Sequence, residues 1–308
     1  FQLLPDSRRL EMLSILRKMS IILSGFLLFS LMVAPISTAT TKKTINIGWT
    51  AWSDAEAITK IAKQLLEERM GYDVKLTMAD IGIQYQGIAL GNLDIMLQAW
   101  LPVAQRNYFE KYADQLVNLG PLYTRAKLGW VVPDYVPEKV LSSIEDLKKP
   151  EVKEKIDEIT GIDPGAGLMQ HSEKAMDEYG LKDAGYNLVS ASGAGMTAAL
   201  ARAIRRNDWI VVTGWSPHWK FAKWDLRYID DPKGVLGGRE RIHALARVGF
   251  YQDFPYEVFE FFTRMYLPLS ELEAVMLEAT ENDYETAVDN YIKTHPQRVN
   301  YWISGKFE

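Results

Sequence analysis

Cysteine is absent from the 308-residue chain, which excludes disulfides, thiolate nucleophiles, thiolate metal sites and the lipidated cysteine of a lipoprotein together. Histidine is scarce: His171, His218, His243 and His295 are scattered and not at metal-ligand spacings, so no metal is expected. No phosphate-binding loop occurs and no cofactor is expected. Basic residues form no cluster, and with a formal net charge of -5 neither nucleic acid nor an anionic membrane surface is expected as partner. Repeats of fixed period and low-complexity segments are lacking as well.

What is present is the make-up of a soluble globular protein: 47% of residues are apolar and 24% charged, which argues against disorder. The length accommodates two lobes with separate cores once a leader is set aside. That leader reads as residues 1–39. Arg17 and Lys18 precede an apolar block from Ile21 to Ala34, then Pro35 and the small residues Ser37, Thr38 and Ala39, the plan of a secretory signal peptide. The block is roughly 14 residues, short of the ~20 a spanning helix needs. Export to the periplasm is the expectation.

From Thr44 strand and helix alternate. Ile45 to Trp49, Val74 to Thr77 and Leu93 to Gln98 read as strands, with helices at Ala55 to Met70, capped by Ser53 or Asp54, and Gln84 to Leu90 between them. Pro102 to Tyr112 reads as a helix and Lys127 to Val132 as a strand, with a crossing between lobes at Pro133 to Pro137. The charged run Glu145 to Glu158 looks like a solvated helical face. A second alternation follows: Ile156 to Ile162, the helix Met169 to Tyr179, Tyr186 to Ser190, the helix Ala194 to Arg206, and Ile210 to Thr213. Ala244 to Phe250 carries the chain back, and three helical segments complete it. The order predicts an α/β fold with largely parallel sheets, lobe 1 comprising 44–132 plus 245–308 and lobe 2 comprising 133–244, with a ligand cleft between them.

Three of the nine tryptophans stand where a strand gives way to a polar or proline break: Trp52 in GWTAWSD, Trp100 in QAWLP and Trp215 in TGWSP. Open α/β sheets place ligands at strand carboxyl ends. Three electron-rich faces around one point suit a cation without hydrogen-bond donors, each contributing ~0.5 to 2 kcal/mol. The other six tryptophans are assigned to packing. The segment GIDPGAGLM, Gly161 to Met169, lies between a strand and a helix, so the amides of Gly167 and Leu168 at a helix amino end suit a carboxylate. Cation and carboxylate together describe a zwitterion. Ser216 and His218 raise the alternative of an exported esterase. Their two-residue spacing, the missing elbow glycine and the want of an orienting acid count against it, and no enzyme activity is expected.

The motifs GIDPGAGLM, KAMDEYGL, SASGAGMTAAL, VVTGWSPHW, YIDDPK and IHALARVGF, with NIGWTAWSDAE, GYDVKLT, LQAWLP and LGWVVP, resemble in order the ligand domain of glycine betaine binding proteins of ABC importers. The resemblance implies a two-lobed type II periplasmic binding protein fold. It also implies a cage of Trp52, Trp100 and Trp215 around a quaternary ammonium, with the amides of Gly167 and Leu168 on the carboxylate. Relatives place a histidine five residues after the AWLP tryptophan, where this chain has Gln105, which donates a hydrogen bond but carries no charge. The expected partners are an ABC permease and its separate ATPase, with the binding protein acting as a monomer. Choline, the same ammonium without a carboxylate, is the alternative ligand.

Overall fold

The structure, a computed structural model, describes residues 43–307; the leader expected at residues 1–39 lies outside them. Among the described residues no helix is long and apolar enough to cross a membrane. Among these residues nine strands form the framework: β1 (Thr44–Trp49), β2 (Asp73–Met78), β3 (Ile95–Leu101), β4 (Leu116–Pro133), β5 (Glu158–Thr160), β6 (Asn187–Val189), β7 (Val211–Ser216), β8 (Leu226–Tyr228) and β9 (Arg239–Arg247). They pair in the order β2-β1-β3-β9-β4-β7-β5-β6, with β8 beside β4. The β1–β2, β1–β3, β5–β6 and β5–β7 pairs are parallel, as the helical crossovers between them require.

The helix Ser53–Glu68 follows β1 because Ile58, Ile61, Ala62, Leu65 and Leu66 recur at helical spacing, and all five are buried. Its N-cap is Trp52, with no side-chain cap bond, so neither Ser53 nor Asp54 caps it; Asp54 turns into the core instead. The helix Gly193–Arg206 begins where Ser192 Oγ accepts from the Gly195 amide (3.1 Å) and ends at Asn207 in the left-handed region. Val258, Phe262, Met265, Leu272, Val275 and Met276, from the helices that close the chain, are buried in one core with β1, β3 and the Ser53–Glu68 helix. A second core gathers Trp130, Ile144, Leu147, Ile159, Met176, Tyr179 and Val211.

The structure departs from expectation in four places. β3 continues to Leu101, which still pairs with Arg241, so Trp100 stands inside the strand. Residues 102–105 form a turn, and the helix begins only at Arg106, because the Val103 and Ala104 amides bond the buried Glu240 carboxylate (both 3.2 Å). The charged run from Glu145 is broken by Pro150 into short turns that bury Leu147, Val152 and Ile156 in the second core. The longest strand, β4, has 18 residues: its first part pairs with β9, its last part with β7 and β8. β4 thus runs through both halves of the sheet and ends at Pro133, where the crossing between lobes is expected.

Candidate ligand-binding site

A cavity at the junction of the two halves of the sheet is lined by Trp52, Trp100, Ala104, Gln105, Leu128, Ile162, Ala166, Gly167, Leu168 and Trp215. All six residues singled out in the sequence meet there, from four parts of the chain. Trp52 follows β1, Trp100 and Gln105 come from β3 and the turn after it, Gly167 and Leu168 open the helix Gly167–Glu178, and Trp215 lies near the end of β7.

Two of the indoles are fixed by acids of the opposite half. Trp52 Nε1 donates to Asp163 Oδ2 (2.9 Å), in the loop after β5, and Trp215 Nε1 donates to Asp54 Oδ1 (2.9 Å), in the helix after β1. Asp54 is fully buried and also accepts from Tyr123 of β4 (2.6 Å). Burial raises its carboxyl above the usual range, opposed by these donors. Trp100 differs: its buried Nε1 has no partner among the described residues. A carboxylate bonded to an indole N–H adds negative potential behind the ring, which favours a cation at the face.

The opposite wall is made of donors. As the first two residues of their helix, Gly167 and Leu168 have amides with no carbonyl to bond within it, at the positive end of its dipole. Gly167 approaches the other half so closely that a Cβ there would lie 2.0 Å from the Ala104 carbonyl oxygen. Gln105 is buried and largely committed: its Oε1 accepts from Tyr85 (3.1 Å), and its Nε2 donates to the Gln98 carbonyl (3.2 Å), leaving one N–H. Tyr108, stacked on Tyr85, donates to the Gly165 carbonyl (3.0 Å) and accepts from Gln170 (2.9 Å). With the two indole bonds, these contacts hold the halves together.

Asp54, Asp163 and Tyr108 escaped a functional reading of the sequence. Asp54 follows the cage tryptophan by two residues, a usable hint; the other two are joined to the site only through tertiary contact. Since the Asp163 bond joins the halves, Asp163→Asn is expected to cost about 1 to 2 kcal/mol of ligand affinity by calorimetry. Unchanged affinity would remove it from the closing contacts.

Ser216 and His218 are not paired as nucleophile and base. Ser216 Oγ donates to Glu273 (3.4 Å), and the buried His218 accepts from the Lys220 amide through Nδ1 (3.1 Å). Of the tryptophans assigned to packing, Trp130 and Trp302 are core residues.

Residues 43–294 match the family described as the substrate binding domain of ABC-type glycine betaine transport systems, OpuAC. The glycine betaine/carnitine transport binding protein GbuC of Listeria monocytogenes serotype 1/2a (strain 10403S) is 40% identical over 148 residues, 48% of this chain and 49% of that protein. The chain thus spans about half the length of that curated relative. Among solved structures, the lactococcal OpuAC in its closed-liganded conformation with glycine betaine is 37% identical with a TM-score of 0.77, covering 85% of this chain and 100% of that one. The glycine betaine, L-proline binding protein (ProX) of Borrelia burgdorferi is 33% identical with a TM-score of 0.79, covering 86% and 98%. A choline binding protein in complex with choline is 25% identical with a TM-score of 0.76, covering 85% and 92%. The fold is the two-lobed fold of periplasmic binding proteins, and transport rather than catalysis is the family's work. With a family match running through nearly all of the described residues, the chain belongs to the substrate-binding domains of ABC-type glycine betaine transport systems.

Proposed function

We propose that this protein is exported, binds glycine betaine or a closely related methylated zwitterion between its lobes, and delivers it as a monomer to an ABC permease driven by a separate ATPase. In this reading lobe 1 comprises 44–132 plus 245–308 and lobe 2 comprises 133–244, with β4 and β9 carrying the connection. The ammonium sits among Trp52, Trp100 and Trp215; the carboxylate takes the amides of Gly167 and Leu168, with the remaining N–H of Gln105 as a further donor. Export implies a periplasmic place of work.

The observation that carries this reading is the meeting of three indoles and a helix amino end in one cavity. A trimethylammonium has no donor to offer, so π faces serve it better than carbonyl acceptors do. Three faces at ~0.5 to 2 kcal/mol each supply much of the ~8 kcal/mol of a micromolar complex, and helix-end amides add to it.

Calorimetric titration with glycine betaine, proline betaine, carnitine and choline tests the assignment. Glycine betaine is expected to bind in the micromolar range and choline more weakly, because choline leaves the Gly167 and Leu168 amides unmet. Choline is the second reading, favoured by the similarity to a choline binding protein. Binding of choline alone would overturn the first.

A further inference from the structure

Lys220 opens the one-turn helix Lys220–Lys223, directly after the segment that carries Trp215. Its side chain is fully buried, and its Nζ has no hydrogen-bond partner among the described residues. A lysine so placed bears an uncompensated desolvation cost in its charged form. What it does have is aromatic company: Nζ lies over the Trp215 ring, 4.3 Å from its centroid, and 5.1 Å from that of Phe221. Lys220 is not among the residues that line the cavity Trp215 walls, so its charge acts on the cage from outside that lining.

We propose that Lys220 is a specificity-determining residue of the cage: when charged, it loads the outer side of Trp215 and disfavours net-cationic cargo more than zwitterionic cargo. The inference rests on the ligand reading above. A ring that already faces one cation is a poorer partner for a second, and the two charges repel across it. Choline, with a net positive charge, bears that repulsion in full. A zwitterion bears less of it, because its carboxylate is attracted by the same charge.

The surroundings make the charge adjustable. Burial pushes the Lys220 amine well below the ordinary lysine range, opposed by the carboxylate of Asp54. The groups around it are Asp54 with Tyr123 bound to it, His218 beside it, and Glu273 on the helix Leu269–Glu281, which packs against this turn. His218 is held neutral by burial and by Lys220. As pH falls through the lowered lysine value, a positive charge appears behind Trp215 and affinity declines, for choline most. Asp54, raised by burial, loses its negative charge in the same direction, so the comparison with a lysine-free variant isolates Lys220.

The test is calorimetry of the wild type and Lys220→Met with glycine betaine and with choline from pH 5 to 10, in buffers of differing ionisation enthalpy so that released protons are counted. In the variant the affinity of choline relative to glycine betaine is expected to rise by about threefold to thirtyfold at the acid end, the span of one cation–π contact. Proton release on binding is expected to fall. Equal ratios and equal proton release in the two proteins overturn the proposal. Should the variant not fold, a wild type that binds choline without releasing protons anywhere in the range overturns it equally. A wild type that binds neither ligand overturns the ligand reading itself, and this proposal with it.

Discussion

Replacing Gly167 with alanine is expected to weaken ligand binding by about 3 kcal/mol, near a hundredfold, while leaving the ligand-free protein as stable as before. The new Cβ would lie 2.0 Å from the Ala104 carbonyl oxygen across the cleft. That atom is backbone and cannot swing away, for the Ala104 and Val103 amides are tied to Glu240. The substitution does not strain the helix: Gly167 is its first residue, lies outside the left-handed region, and alanine is a better helix former than glycine. The penalty therefore falls on the arrangement described above, in which Gly167 meets Ala104, and is absent wherever the lobes stand apart. Calorimetry with glycine betaine and thermal melting without it check the two halves of the prediction. Undiminished affinity would mean that the ligand is held without the lobes meeting at Gly167.

The second large effect concerns the cage. Trp100→Leu keeps an apolar wall but removes a π face, and it is expected to cost about 2 kcal/mol of glycine betaine affinity, some thirtyfold. Trp100 is the best position for this test because its Nε1 has no partner among the described residues, so the change orphans no acid there. At Trp52 or Trp215 the same substitution also strips a donor from Asp163 or Asp54. Combining Trp52→Leu with Trp100→Leu is expected to bring affinity below the detection range of calorimetry. If Trp100→Leu binds as tightly as the wild type, the ammonium is not held by the indoles.

The tryptophans were legible in the sequence because each sits in a local signal, an apolar run ending in Gly, Pro or Ser, and because strand ends are where such sheets carry ligands. The GAGL segment was legible for the same reason: a strand, a glycine turn and a helix are written in order. Asp163 and Tyr108 were not, since their roles depend on partners 111 and 57 residues away, across the cleft. β4 was read as only its last third, because bulges at Asn118/Gly120, Pro121/Tyr123 and Thr124/Ala126 break the alternation that marks a strand. The turn at 102–105 was taken for helix because what holds it, Glu240, enters from β9. Nothing in the sequence around Lys220 marks it out; only its burial makes it informative.

The crossed pairing of indoles and acids has a consequence for unloading. Each lobe supplies a tryptophan whose N–H is anchored by the partner lobe's carboxylate, so neither lobe owns a finished receptacle. Forcing the lobes apart at any point frees both rings at once and lets water reach both acids. Under the proposed function, cargo then leaves in one step, without a stage in which one lobe grips it alone.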